Sequence, residues 1–179
     1  MKTIRHALLA AGVAALLTLA AGAAETSRLA GQWRIDLARS TSIKPWERAE
    51  LTITVAGDAV EIVRRLQWGP DRKVTDTTRA VADGHTVVAN KVEHWLDTWY
   101  TNVYIGGDRQ KQVTAAWLDG GRVLKVEARL ALEAQQGDYP VHVYTEYRLS
   151  PEGDTLTQFE LRSTRDQALV YVWRREVAE

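Results

Sequence analysis

The sequence contains no cysteine. This single absence excludes a disulfide framework, thiolate metal ligands, a thiol nucleophile and the acylated cysteine of a lipoprotein. The chain also lacks a Gly-x-Ser-x-Gly motif, so the usual nucleophile elbow of a hydrolase is missing. The hydrophobic core alone must therefore hold the fold together.

An excess of positive charge is lacking as well. The chain has 23 Lys and Arg residues against 23 Asp and Glu residues. Two of the basic residues lie in the first 24 positions, so the rest of the chain carries a net charge of −2 with histidine neutral. A nucleic-acid-binding domain normally shows a basic face or stripe. The balance therefore predicts that nucleic acid is not a partner.

Long hydrophobic runs occur only in residues 1–24, MKTIRHALLAAGVAALLTLAAGAA. Basic residues precede an Ala, Leu and Val stretch that ends in small residues, which is the order of a secretory signal peptide. A transmembrane anchor is the alternative, but no later segment approaches the roughly 20 apolar residues that span a bilayer. The pattern predicts cleavage after Ala23 or Ala24, one domain over 25–179, and a periplasmic or secreted location with no membrane anchor left.

The remaining sequence alternates with a period of two, as half-buried antiparallel strands do. In ELTITV, for example, Leu51, Ile53 and Val55 share one face. Seven short segments that pair Gly with Asp or Pro, such as WGPDR and SPEGD, predict tight turns between the runs. The fold class predicted is all-β, a single up-and-down antiparallel β-barrel of about 8–10 strands. The predicted strands, one or two of them fused or edge pieces, are 31–38, 48–57, 59–68, 72–82, 85–93, 97–105, 110–118, 122–134, 140–149, 155–163 and 168–176.

Several segments resemble the bacterial secreted lipocalin-like proteins. The opening LAGQWRIDLARSTS has their Gly-x-Trp strand running into an Ala-Arg-Ser segment after a signal peptide. AAWLDGGRVLKVEARL, YTEYRLSPEGDTLTQFELRS and the closing LVYVWRR extend the resemblance, in order, over most of the chain. It implies a calycin-type barrel, similar to lipocalins and fatty-acid-binding proteins, although this chain has no disulfide and no C-terminal helix signal. A wide barrel of this kind tends to enclose a cavity.

The resemblance also implies a structural plug at the closed end of the barrel. Trp33 of the first strand would lie beneath a basic side chain of the last strand, Arg174 or Arg175. Gly31 would let the chain enter the barrel tightly, and a guanidinium on the indole face gains cation–π energy. Trp33 is therefore expected to be structural and not a ligand contact.

The richest chemical segment is KVEHWLDTWYTNVY, residues 91–104. Aromatic rings with polar groups and a few hydrogen-bond donors suit a pocket for a small amphipathic molecule. The alternative is ordinary barrel packing, because aromatic residues favour strands in any case. The residues predicted here as ligand-binding are His94, Trp95, Trp99, Tyr100 and Tyr104.

The hairpin VEIVRRLQWGPDRKVTDTT adds a possible polar anchor. Folding about Pro70 places Arg64 opposite Asp76 and Trp68 opposite Arg72. If the Arg64 face looks into the barrel, Asp76 would pair with it, and the pair could orient a ligand carboxylate or hydroxyl. The alternative is a cross-strand pair on the solvent face. Arg64, Trp68 and Asp76 complete the predicted ligand-binding set.

Three functions from different classes follow. The leading prediction is an exported barrel that binds a small apolar or amphipathic molecule in its interior, with no catalytic residue, no cofactor and no metal, since the histidines lack metal-ligand spacing. A small isomerase or hydrolase using Glu93, His94 or Asp97 as acid or base is the second. A cell-envelope interaction protein with a filled barrel and an exposed His142/Tyr144 face is the third. The sequence leaves the oligomeric state open.

Overall fold

The computed structural model describes residues 28–92, 95 and 105–176. Within these ranges the chain forms ten strands and two three-residue 3-10 turns, Leu37–Arg39 and Asp119–Gly121. No helix in these ranges is long and apolar enough to cross a membrane. The strands are β1 Gly31–Ile35, β2 Arg48–Ala56, β3 Ala59–Trp68, β4 Arg72–Val81, β5 Val88–Lys91, β6 Gln110–Leu118, β7 Val123–Ala134, β8 Gly137–Leu149, β9 Thr155–Arg162 and β10 Leu169–Arg175.

All ten strands belong to one antiparallel sheet in the order β4-β3-β2-β1-β10-β9-β8-β7-β6-β5. Consecutive strands pair with each other throughout except β4 and β5, and the pairing of β1 with β10 curls the sheet into a barrel. Only β4 and β5 remain unpaired with each other in this order. The result is a nearly closed barrel, so the predicted all-β, up-and-down class is confirmed.

Strand boundaries depart from the prediction where local turns intervene. The first strand ends at Ile35 because Leu37–Arg39 makes a 3-10 turn and the chain leaves the sheet. β8 starts at Gly137, three residues earlier than predicted, because Ala134 pairs directly with Gly137 across a two-residue hairpin. The strand predicted over 97–105 lies outside the described residues apart from Ile105, which forms an isolated bridge to Leu132.

Side chains bridge the unpaired edges of β4 and β5. The Asn90 side chain of β5 accepts a hydrogen bond from the backbone N–H of Arg79 at 2.7 Å and donates one to the Arg79 carbonyl at 2.9 Å. One buried amide thus takes the place of a backbone partner on β4. This bridge satisfies polar groups that would otherwise face a gap in the barrel.

Inward-facing residues form the core. The larger cluster draws on every strand except β5 and includes Trp33, Trp173 and Leu51. A second, smaller cluster includes Trp95, Ile105 and Val141. Between them the inner face carries charged and polar side chains, which is where the candidate site is found.

Candidate functional site

The closed end of the barrel is built on Trp33. Its indole is fully buried, and Trp33 pairs in register with Arg175 of β10. The Arg175 guanidinium carbon lies 4.1 Å from the centre of the indole ring, within cation–π range. Gly31 has a φ of +146°, and a Cβ there would lie 2.5 Å from Arg175 Nη1. Only glycine leaves room for the guanidinium at this point.

The hydrogen bonds of Arg175 all go to backbone carbonyls. Its Nε donates to Gly153 at 2.8 Å, its Nη1 to Ala30 at 2.9 Å and its Nη2 to Arg28. Arg174, the alternative partner for Trp33, points outward and donates to Asp36 Oδ2 at 2.9 Å. The geometry therefore places Arg175, and not Arg174, on Trp33.

A polar cavity of about 90 Å³ lies in the interior of the barrel. Liquid water occupies about 30 Å³ per molecule, so the space suits a few waters or a compact organic group. Its wall combines aliphatic side chains with three cations and two carboxylates. The residues that line it include Ile62, Arg64, Asp76, Thr78, Trp95, Lys111, Val126, Ala128, Thr145, Tyr147, Glu160 and Arg162.

One pair of charges in this cavity joins β4 to β6. Lys111 Nζ lies 2.9 Å from each oxygen of Asp76 and donates to Thr78 Oγ1 at 2.7 Å. The Lys111 side chain is only 9% exposed. Burial lowers the pKa of the Lys111 ammonium, although the Asp76 carboxylate opposes this shift. The pair also spans the side of the barrel where β4 and β5 are not paired.

A second pair lies on the inner face of β9. Arg162 Nε donates to Glu160 Oε1 at 2.5 Å, and Gln158 donates to Glu160 Oε2 at 2.9 Å. Gln158 in turn accepts a bond from the Trp173 indole at 3.2 Å. Burial acts to raise the pKa of Glu160, but the Arg162 and Arg64 guanidiniums and these hydrogen bonds outweigh it and hold the pKa below its ordinary value. Glu160 is therefore an ionised, fully occupied carboxylate.

Arg64 is the third cation of the cavity and differs from the other two. It follows Ile62 and precedes Leu66 on the buried face of β3, so its side chain points inward. It lines both the polar cavity and a smaller apolar one beneath Ile43 and Trp46. Among the residues that the structure describes, none accepts a hydrogen bond from its guanidinium. Arg64 thus faces the cavity with its donors available.

The neutral hydroxyls of Tyr147 and Thr145 extend this polar wall from β8. Neither makes a hydrogen bond to another described side chain. Burial raises the pKa of the Tyr147 phenol, which keeps it protonated and able to donate. The cavity therefore offers both a cation and neutral donors to whatever occupies it.

Three of the predicted ligand-binding residues line the cavity. Arg64, Asp76 and Trp95 line the cavity together, and Arg162 lies 4.9 Å above the Trp95 ring. Arg64 and Asp76 are in register as predicted, but the Asp76 carboxylate binds Lys111 and not Arg64. The predicted pair was wrong because β6 supplies Lys111, which sequence alone could not place opposite β4.

Trp68 does not reach the cavity. It lies at the end of β3, is 39% exposed, and stacks with Arg72 at 4.5 Å across the hairpin. By alternation Trp68 lies on the inward-facing side of β3, but this end of the hairpin extends beyond the packed interior. His94, Trp99, Tyr100 and Tyr104, together with the possible acid–base residues Glu93 and Asp97, lie outside the described residues.

Sequence reasoning missed Lys111, Tyr147, Glu160 and Arg162. A signal was available for two of them, because Glu160 and Arg162 continue the alternation that begins with buried Leu156. Charged residues at inward positions of a strand indicate a polar interior. Lys111 carried the same signal more weakly, since it lies at the start of its strand in alternation with buried Val113 and Ala115.

The outer face of β8 holds the residues considered for an envelope interaction. Tyr144 donates to Glu146, and His142 Nε2 lies 3.3 Å from Glu127 Oε2. The hydrogen bond to Glu146, with some burial, raises the pKa of Tyr144 to about 12. These contacts form a surface network of paired side chains. In the described part of the chain no cluster of His, Asp or Glu has the arrangement of a metal site.

These features define the class of the molecule: a ten-stranded, nearly closed antiparallel barrel with Trp33 buried beneath Arg175 and a small charged cavity. No protein-family model matches the chain, and no curated protein does.

Solved structures with a similar fold are distant in sequence. The fatty-acid-binding protein from Manduca sexta is 10% identical with a TM-score of 0.44, over 83% of this chain and 99% of that protein. A secretory abundant heat soluble protein from Ramazzottius varieornatus is 8% identical with a TM-score of 0.48, over 83% and 96%. Secretory abundant heat soluble protein 4 of the same organism is 9% identical with a TM-score of 0.42, over 84% and 96%.

Proposed function

We propose that this protein binds a compact amphipathic molecule inside its barrel and holds the acidic head of that molecule on Arg64. The observation behind this is the charge arrangement of the cavity. Asp76 is occupied by Lys111 and Glu160 by Arg162, while Arg64 has no hydrogen-bond acceptor among the described residues. Arg64 is half-buried, and the acidic head of a bound molecule would accept charge-assisted hydrogen bonds that no described residue accepts from it.

The rest of the wall sets the size and polarity of the ligand. Ile62, Val126 and Ala128 supply an apolar surface beside Arg64, and Tyr147 adds a neutral donor. A cavity of about 90 Å³ is smaller than the roughly 300–1,000 Å³ of ordinary ligand pockets. A short carboxylic acid suits this space better than a long-chain one.

Calorimetric titration with straight-chain carboxylates from butanoate upwards, and with alcohols of equal length, tests the proposal. We expect the acids to bind more tightly than the alcohols, because a hydrogen bond to a charged group contributes about 1.5–3 kcal/mol, or roughly 10- to 100-fold in affinity. Arg64→Met should remove this preference.

Arg65→Met is the matched control, because the neighbouring Arg65 is exposed and donates to Thr52 Oγ1 at 3.2 Å on the outer face. That variant should bind like the unchanged protein. Equal affinity for acids and alcohols, or an Arg64→Met variant that binds acids as before, would contradict the proposal.

We further propose that the protein acts outside the cytoplasm after removal of residues 1–24. The support is the order of basic, apolar and small residues in this segment. Expression of the full-length gene followed by cell fractionation and N-terminal sequencing tests it. A mature chain that starts at Ala24 or Glu25 in the exported fraction is the expected result, and an uncut chain in the cytoplasm is the opposing one.

A further inference from the structure

Lys111 is a buried amine that borders a cavity. Its side chain is 9% exposed and that of its partner Asp76 is 18% exposed. A lysine is almost never buried to this extent unless it is paired, and Asp76 is the partner here. A lysine that only ties β4 to β6 would need no space beside it, yet Lys111, Asp76 and Thr78 all line the interior cavity.

Burial shifts the protonation equilibrium of Lys111 towards the neutral amine, which is the nucleophilic form of lysine. Burial lowers the pKa of Lys111 more than the nearby carboxylate raises it. Both oxygens of Asp76 lie 2.9 Å from Nζ, so a proton acceptor is already in hydrogen-bond contact. Transfer of one proton within this pair would leave an uncharged amine facing the cavity.

The remaining wall suits the substituent of a small carbonyl compound. Val126, Ala128 and Leu130 of β7 line the same cavity as Lys111 and present aliphatic surface to it. Tyr147 and Thr145 provide hydroxyls that could donate to a carbonyl oxygen.

We propose that Lys111 binds compact aldehydes or ketones covalently, as an imine formed inside the barrel. The site goes beyond the carboxylate site at Arg64, although it rests on the same access of small molecules to the cavity. The cavity size restricts the compound to a short chain.

The reaction needs no further reagent. Lys111 Nζ transfers a proton to Asp76 and attacks the carbonyl carbon, and the oxygen becomes the hydroxyl of a carbinolamine after proton transfer from nitrogen. Asp76 returns its proton to that hydroxyl, which leaves as water while the C=N bond forms. The product is a protonated imine beside an ionised Asp76. One ammonium and one carbonyl compound thus give one iminium ion and one water.

Reductive trapping tests the proposal in the full chain. The protein is incubated with butanal and sodium cyanoborohydride at neutral pH, and the butylated residues are mapped by peptide mass spectrometry. Butanal is uncharged, so its capture does not depend on Arg64. We expect Lys111 to be labelled about tenfold faster than the other lysines or more, because an exposed lysine with a pKa of about 10.4 is almost wholly protonated at neutral pH.

Lys125 is the matched control, since its Nζ lies 3.0 Å from Glu127 Oε1 on the outer face and this lysine–carboxylate pair does not line the interior cavity. Lys111→Met should lose the fast label, and Lys125→Met should keep it. If Lys111→Met does not fold, the unchanged protein in urea gives the same information, because unfolding should abolish the preference for Lys111.

Labelling of Lys111 at or below the rate of Lys125 in the native protein would overturn the proposal. So would a preference for Lys111 that persists in urea. Arg64→Met separates this inference from the carboxylate proposal: it should lose the preference for acids and retain the fast butanal label.

Discussion

Two inward-facing arginines show how the same side chain can serve structure or binding. Arg175, at the closed end, stacks on Trp33 and donates to the carbonyls of Gly153, Ala30 and Arg28. Arg64, in the cavity wall, has no acceptor among the described residues. The first guanidinium is fully used by the fold, whereas the donors of the second face the cavity. The difference predicts that stability depends on one end of the barrel and binding on the other.

The largest expected effect is at the closed end. Trp33→Ala should lower the free energy of unfolding by about 3–5 kcal/mol, the range for truncating a buried large aromatic side chain. Urea denaturation followed by circular dichroism measures it. Trp68→Ala is the control, because Trp68 is partly exposed and its loss should cost less than about 1 kcal/mol. Equal losses in the two variants would mean that Trp33 does not plug the barrel.

The ion pair of β9 tests whether the cavity wall also contributes to stability. Glu160→Gln should cost about 3 kcal/mol at neutral pH, because it leaves the buried Arg162 without its carboxylate. Glu127→Gln on the outer face is the matched control, and exposed pairs contribute about 0–1 kcal/mol. Thermal or urea unfolding of both variants gives the comparison.

The pH dependence of this effect has a definite sign. The folded-state pKa of Glu160 lies below its ordinary value of 4.5, so its contribution is present above pH 4.5 and is lost as the pH falls through the folded-state pKa. Glu160→Gln resembles the protonated form. The unchanged protein and this variant should therefore converge in stability as the medium becomes acidic, and a constant difference down to pH 2 would contradict the assignment.

The smallest expected changes in the free energy of unfolding come from substituting the two arginines. Arg175→Met should cost about 2 kcal/mol through lost stacking and unsatisfied carbonyls, while Arg64→Met should change stability by less than about 1 kcal/mol. Binding should show the reverse order, with acid affinity lost only in Arg64→Met. Paired denaturation and titration of the two variants test this. If Arg64→Met were the more destabilising change, Arg64 would be structural and the comparison would fail.

The alternation of apolar residues in the sequence determined the strands and their class. Inward positions such as Leu51 and Ile53 of β2 repeat every second residue because successive side chains of a strand point to opposite faces. Gly-rich turns then connect neighbouring strands, which leaves a meander as the natural order. The contact of Trp33 with a basic residue of the last strand also followed from local features and from the resemblance, whichever arginine is used.

Tertiary structure alone decided which charges meet. Local hairpin symmetry placed Arg64 opposite Asp76, but β6 is 35 residues further on and brings Lys111 to that carboxylate. No local pattern encodes this meeting, because it depends on how far the sheet curls before β4 approaches β6. The same curvature leaves Arg64 without an acceptor among the described residues and encloses the cavity beside it. The sequence by itself thus determined the strands and the pairing of Trp33 with a basic residue of the last strand, and closure of the barrel decided which charges share the cavity.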